Sequence, residues 1–157
     1  MSTMQPTNIH YHETGWARAL ALQCNQAQTT ISLCAMSLLV PRLNTKSEWA
    51  ELWQSWCTAV QRGVRVDIWL AAPQQNAAAT KGNASAGSAL VAAKIGLHFV
   101  RGNKLLHAKT AVIDMQHVWI GSGNFTLAAA TENHEAYISM HSPAIAQQIT
   151  QRLRGLA

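Results

Sequence analysis

The chain has 157 residues, 48% of them apolar and 12% charged, with twelve Lys and Arg against seven Asp and Glu for a formal charge of +5. That composition fits one folded domain spanning residues 1–157 and excludes a disordered chain, while the positive excess favours an anionic partner such as nucleic acid or an acidic membrane surface. The three cysteines, Cys24, Cys34 and Cys57, are too scattered for a disulfide framework or a zinc knuckle and read as reduced core thiols.

Residues 1–13 are polar and read as a loose N-terminal arm. A helix follows Thr14, with Trp16, Leu20 and Cys24 stacked at fourfold spacing. The run "TISLCAMSLLV" reads as a buried strand over about 30–37; its apolar stretch is only about ten residues, half of what a membrane helix needs. After breakers at Pro41 and Asn44, Ser47 is placed to cap a second helix that carries Trp49, Trp53, Trp56 and Val60 on one stripe and stops at Gly63. Such a stripe reads as a core or subunit-contact helix before it reads as a base-stacking or membrane surface.

"VRVDIWLAAP" alternates Val64, Val66, Ile68 and Leu70 on one side, a second strand. Residues 73–88 have no periodicity and are expected to form a long loop merging into a helix near 86–95. "LHFV" after Gly96 is a short strand, residues 101–104 a basic turn, and "LLHAKTAVID" and "HVWIGS" two strands paired across a turn at 114–117. A short helix around "FTLAAAT", a strand "AYISM" and a closing helix complete the chain. That last helix has Ser142 as N-cap, Pro143 at its first position and Arg152 and Arg154 near its C-terminal dipole. Strands alternating with helices imply an α/β sandwich on a mixed sheet, with no internal repeat. The N-terminus lacks the basic start and apolar stretch of a signal peptide, so as written the chain reads as cytoplasmic; a removed leader would leave the same picture.

The chemistry concentrates in one stretch. His107 and Lys109 stand two apart in an extended run, where side chains two apart share a face, and Asp114 follows five residues later. After six intervening residues come Gly121, Ser122, Gly123 and Asn124. Glycines there would let the backbone approach an anion, with Ser122 and Asn124 adding hydrogen bonds to phosphoryl oxygens. Carboxylates in the C-terminal half are only Asp114, Glu132 and Glu135, too few to suggest a two-metal site.

This spacing, HxKx4Dx6GSxN, resembles the HKD motif of the phospholipase D superfamily, and "GSGNFT" followed by "ENHEAYIS" is similar to the small single-motif bacterial endonucleases of that family. The resemblance covers most of the chain from the strand near residue 30 onward. It implies a phospholipase D-like α-β-α sandwich, a mixed sheet flanked by helices on both faces. It also implies catalysis without cofactor or metal: neutral His107 attacks phosphorus to give a phosphohistidine, and a second histidine protonates the leaving oxygen and then activates water. The family draws these imidazoles from two motifs, whereas this chain has one, so a homodimer with the active site at its twofold interface is expected. Lys109 and Asn124 would bind the phosphoryl group with help from Ser122, Glu135 would orient the nucleophilic imidazole, and Asp114 would be structural.

His10, His12, His98, His117, His134 and His141 read as ordinary histidines; a zinc site from His107, His117 and His134 matches no recognised ligand spacing. Arg101 and Lys104 are candidates to line the phosphate path. The leading expectation is a metal-independent, nonspecific endonuclease acting on DNA, with RNA a further candidate substrate. The alternatives are a phospholipase D or phosphatidyl transferase acting on phospholipid, and a catalytically idle nucleic-acid-binding module.

Overall fold

The computed structural model describes residues 5–42, 44–74 and 80–156. Seven strands form one sheet in the order β1-β7-β6-β5-β2-β3-β4. The strands are β1 (Thr7–His12), β2 (Thr30–Ala35), β3 (Arg65–Ala71), β4 (Gly96–Val100), β5 (Thr110–Ile113), β6 (His117–Gly121) and β7 (Tyr137–His141). β2, β3 and β4 run parallel; β5, β6, β7 and β1 add on antiparallel, so the sheet is mixed as the sequence implies.

The helices are α1 (Trp16–Gln26), α2 (Glu48–Gln61), α3 (Asn83–Ala92), α4 (Leu127–Thr131) and α5 (Pro143–Arg154). Strand alternation divides the core between the two faces. Ile31, Leu33, Val66, Ile68 and Leu70 face the core of α1 and α2, where Trp16, Leu20, Trp49 and Trp56 are buried; α3 and α4 add Ala86, Leu90 and Ala129. Cys34, Trp69 and Ala71 face the other way, against Leu153 of α5, and Val112 and Val118 meet Ala146. Helices thus cover both faces, four on one and one on the other among the described residues. The Trp49 and Trp56 rings pack on each other and on Phe125, which makes the tryptophan stripe of α2 core. Ser47 caps α2 by accepting from the Ala50 N–H, and Ser142 caps α5, with Pro143 at the start of the helix. No helix of the described residues is long and apolar enough to cross a membrane.

Two expectations need correction. The polar stretch expected to be a loose arm supplies β1, which pairs with β7 from Thr7 opposite His141 to His12 opposite Tyr137. It escapes recognition because an edge strand with both faces largely exposed has no apolar alternation, and Asn8 at φ 51° marks a bulge rather than a smooth run. α3 starts at Asn83, earlier than expected, because its anchor is tertiary. Buried Asn83 accepts from the Leu38 N–H at 2.9 Å and donates to the carbonyls of Met36 and Ala71, each at 2.8 Å. The rest of the expected 73–88 loop includes residues 75–79, which lie outside the described residues.

Candidate active site

His107, Lys109, Ser122, Asn124 and Glu135 lie at one end of the sheet, where β2 and β6 finish and β5 and β7 begin. That is the carboxyl end of the parallel strands, beside the point where β2 pairs parallel to β3 and antiparallel to β5, a position at which α/β sheets commonly bind ligands.

His107 and Lys109 lie not within β5 but on the extended segment just before it, which stays on the sheet because the Gly121 N–H donates to the Lys109 carbonyl at 3.1 Å. His107 is exposed, whereas Lys109 is only 5% exposed. The Lys109 ammonium donates to the His107 carbonyl at 2.7 Å and so fixes the backbone of His107. Burial lowers the Lys109 pKa below that of a free lysine, with the Glu135 carboxylate and the Cys34 thiol acting in the opposite direction.

Asn124 is half-buried, and its side-chain oxygen accepts from the Ser37 N–H at 3.2 Å. Its two amide hydrogens therefore remain for an anion. The same loop is clamped across the top of β2 by Leu39 N–H to Phe125 carbonyl (3.0 Å) and Phe125 N–H to Ser37 carbonyl (3.2 Å). Ser122 behaves differently from expectation. Its hydroxyl donates to Glu135 Oε2 and accepts from the Ala136 N–H at 3.1 Å, so its one proton is committed to the carboxylate rather than to a phosphoryl oxygen. The other Glu135 oxygen accepts from Asn133 Nδ2 at 3.2 Å. Glu135 is thus held by Ser122 and Asn133, not by His107.

A family model described as "Cardiolipin synthase, PLD-like domain" matches residues 20–157. The chain belongs to the phospholipase D-like family. No curated protein is significantly similar to it in sequence. Among solved structures it is similar to Nuc, a phospholipase D family member from Salmonella typhimurium, at 23% identity and a TM-score of 0.77 over 97% of this chain and 94% of that one. It is similar to NucT from Helicobacter pylori at 15% identity and a TM-score of 0.75, over 95% of this chain and 94% of NucT. Its likeness to phosphatidylserine synthase from Haemophilus influenzae Rd KW20, at 15% identity and a TM-score of 0.65, spans 92% of this chain but 36% of the synthase. At such identities these likenesses establish the common phospholipase D-like fold.

The remaining motif residues of this phospholipase D-like chain have structural work. Asp114 sits at the opposite end of β5, in the turn to β6, where its carboxylate accepts from the backbone of Gln28, Thr29 and Thr30. His117 is at that end too, opposite Ile113, which separates it along the hairpin from His107 and removes the geometry a shared zinc ion would need. His134 is exposed, and His98 stacks on Trp69 and pairs with Asp67 at 2.9 Å on the far strands. Among the described residues no three His, Cys, Asp or Glu side chains are grouped to hold a metal ion. Of the basic turn, Lys104 borders the groove beside His107, whereas Arg101 does not.

Packing requires glycine at positions 121 and 123. Neither has positive φ, and a Cβ at Gly121 would drive into the Tyr137 ring and meet the Ala136 carbonyl at 2.6 Å, while one at Gly123 would press on Trp16 and Tyr137 at 3.2 Å each. The glycines exist so that Tyr137 can lie flat beneath the loop. Tyr137 is buried, stacks on Trp16 with ring centroids 4.3 Å apart, and donates its hydroxyl to the Gly123 carbonyl. Sequence alternation placed Tyr137 in a strand but gave no sign of this support, because its partner Trp16 is 121 positions away in the chain. Gly121→Ala is expected to cost about 2 to 3 kcal/mol in urea unfolding, since backbone rather than a flexible side chain must move. Gly155→Ala, whose nearest contact is 3.6 Å, is expected to stay within about 0.5 kcal/mol. Equal costs at the two positions would refute the packing role.

Proposed function

We propose that this chain is a metal-independent phosphodiesterase, a nonspecific endonuclease acting on DNA through a covalent phosphohistidine in a homodimeric active site, with RNA a further candidate substrate. The observation that carries the reading is an exposed imidazole whose backbone is fixed by a buried lysine, at the same sheet end as the two uncommitted amide hydrogens of Asn124. In the first step a ring nitrogen of His107 bonds to phosphorus, the phosphorus–oxygen ester bond breaks, and the leaving oxygen takes a proton from the partner's His107. In the second, that imidazole removes a proton from water, the hydroxide adds to phosphorus, and the phosphorus–nitrogen bond breaks to restore His107. Lys109 and the Asn124 amide stabilise the charge on the phosphoryl oxygens in both.

A second copy also has a surface to meet. Ile120, Ile138 and Tyr11 lie side by side across β6, β7 and β1 and are 42%, 42% and 66% exposed, on the α5 side of the sheet immediately beside Gly121. Leu105, just before His107, extends the apolar border at 39% exposure. A solvent-facing row of this kind at the motif end supports an isologous contact there. The charge of +5 favours a polyanionic substrate, of which nucleic acid is the one proposed.

Plasmid and single-stranded DNA are expected to be cut in excess EDTA, with a rate that falls steeply as salt rises because phosphate contacts release counterions. Cleavage that requires added Mg2+, or hydrolysis of phosphatidylcholine vesicles with DNA left intact, would overturn the reading.

A further inference from the structure

Lys109 is the one charged side chain that is buried among the described residues, and the hydrogen bond it makes there, to the His107 carbonyl, uses one of its three donors. A buried ammonium is stabilised by a facing carboxylate, and one stands close by. Glu135 immediately precedes Ala136, whose carbonyl accepts from the Ser122 N–H, and its carboxylate carbon lies 3.4 Å from the place a Cβ on Gly123 would take. Burial lowers the Lys109 pKa, and the Glu135 carboxylate is near enough to oppose that effect. Yet among the described residues Lys109 closes no ion pair. The carboxylate is engaged elsewhere. Its Oε2 takes the Ser122 hydroxyl proton, and that hydroxyl is itself fixed by the Ala136 N–H; its Oε1 accepts from the Asn133 side-chain amide. Each oxygen thus has a donor of its own, in bonds strengthened by the charge they serve. The Cys34 thiol, which also acts on Lys109, is pushed up to about 12 by burial and stays uncharged at neutral pH, and His107 offers the ammonium its backbone carbonyl. Glu135 is therefore the anion that sets the state of this lysine.

We infer that Ser122 and Asn133 form a bracket that holds the Glu135 carboxylate near Lys109 but out of contact, so that the ammonium keeps its charge while its remaining donors stay open to a phosphoryl oxygen. This rests on the phosphodiesterase reading and deepens it. Ser122 and Asn133 become positioning residues, and Asn133 lies outside the motif. With the bracket gone, the carboxylate would close on the ammonium and a substrate would have to displace it.

The informative variant is Asn133→Ala. Asn133 is exposed, and its backbone N–H, which donates to the Ala128 carbonyl, is kept. Two measurements read it: an NMR titration of the Lys109 side chain in the substrate-free protein, and steady-state cleavage of bis(p-nitrophenyl) phosphate in excess EDTA. Asn133→Ala is expected to raise the Lys109 midpoint by about 0.5 pH unit or more, because an ion pair favours the charged form, and to raise KM about fivefold with a smaller change in kcat. Adding Glu135→Gln to that variant is expected to bring the midpoint below the wild-type value and to recover most of the loss in KM, since a neutral amide does not pair with the ammonium. A midpoint that Asn133→Ala leaves in place, or a rise that persists without the Glu135 charge, would overturn the bracket. So would a loss confined to kcat, which would put Glu135 on His107 instead. The titration needs no substrate, so it decides the bracket even where the wild type cuts no diester in EDTA, the result that would overturn the phosphodiesterase reading by itself.

Discussion

On the proposed mechanism, in which the imidazole forms the bond to phosphorus and the cations do the binding, alanine at His107 is expected to lower metal-free DNA cleavage by about 10⁴-fold or more while leaving DNA affinity within about twofold. The sharper form of the prediction uses mixed dimers. If each reaction consumes one imidazole as nucleophile and the other as acid, a dimer with a single His107 is as inert as one with none. Add an equal amount of His107→Ala protein to a fixed amount of wild type, allow subunits to exchange, and only a quarter of the doubled dimer population keeps both imidazoles. Activity should then fall to about half. Independent protomers would instead leave it unchanged, and would remove the reason for a dimer altogether. The exposed row of Ile120, Ile138 and Tyr11 supplies the control: Ile138→Lys should break the proposed dimer and with it the activity, although Ile138 is 42% exposed and lies outside the motif.

Much of this was legible in the sequence, for reasons that differ by element. The helices α1, α2 and α5 were legible because each turns one apolar stripe toward a core, and capping residues such as Ser47 and Ser142 mark their starts. The motif was legible because its chemistry fixes residue types at fixed separations, so His107, Lys109 and Asn124 appear where a hairpin must bring them together. What the sequence concealed depends on partners distant in the chain. β1 is a strand only because β7 offers an unpaired edge. α3 starts where it does because Asn83 ties three backbone groups of other segments. Gly121 and Gly123 look like anion-binding glycines in sequence, and only the position of Tyr137 reveals them as room for a ring. Ser122 and Glu135 were legible as polar site residues, but that they bind each other is a fact of the β6–β7 pairing.

Asp114 is the motif residue for which a large effect on stability rather than chemistry is expected. Its Oδ1 accepts from the N–H groups of Thr29 (2.8 Å) and Thr30 (3.0 Å) and from the Thr29 hydroxyl (2.9 Å), and its Oδ2 from the Gln28 N–H at 2.9 Å. It thereby closes the chain entering β2 onto the end of β5. Burial raises the carboxyl pKa, but the N–H groups of Thr30, Gln28 and Thr29 and the Thr29 hydroxyl outweigh it and hold the pKa below its ordinary value. Asp114 and Met115 both have positive φ, 52° and 57°, in the three-residue loop 114–116 between paired Ile113 and His117, where the Gln116 N–H donates to the Ile113 carbonyl at 3.1 Å. Asp114→Ala loses the acceptors and places Cβ chemistry poorly suited to that φ, so it is expected to cost about 3 kcal/mol. Asp114→Asn tolerates the same backbone and keeps one acceptor, and should cost about half as much. The pH dependence separates charge from geometry. A carboxyl with a depressed folded pKa contributes stability that is complete above its unfolded pKa, near 3.9, and is lost as pH falls through the lower folded value. The gap between wild type and Asp114→Asn in urea unfolding should therefore be constant from about pH 7 to 5 and narrow below about pH 4. Because Asp114 stands at the opposite end of β5 from His107, kcat of the folded Asp114→Asn protein should stay within about twofold of wild type. A large loss of kcat at full stability would instead give this aspartate a part in the reaction.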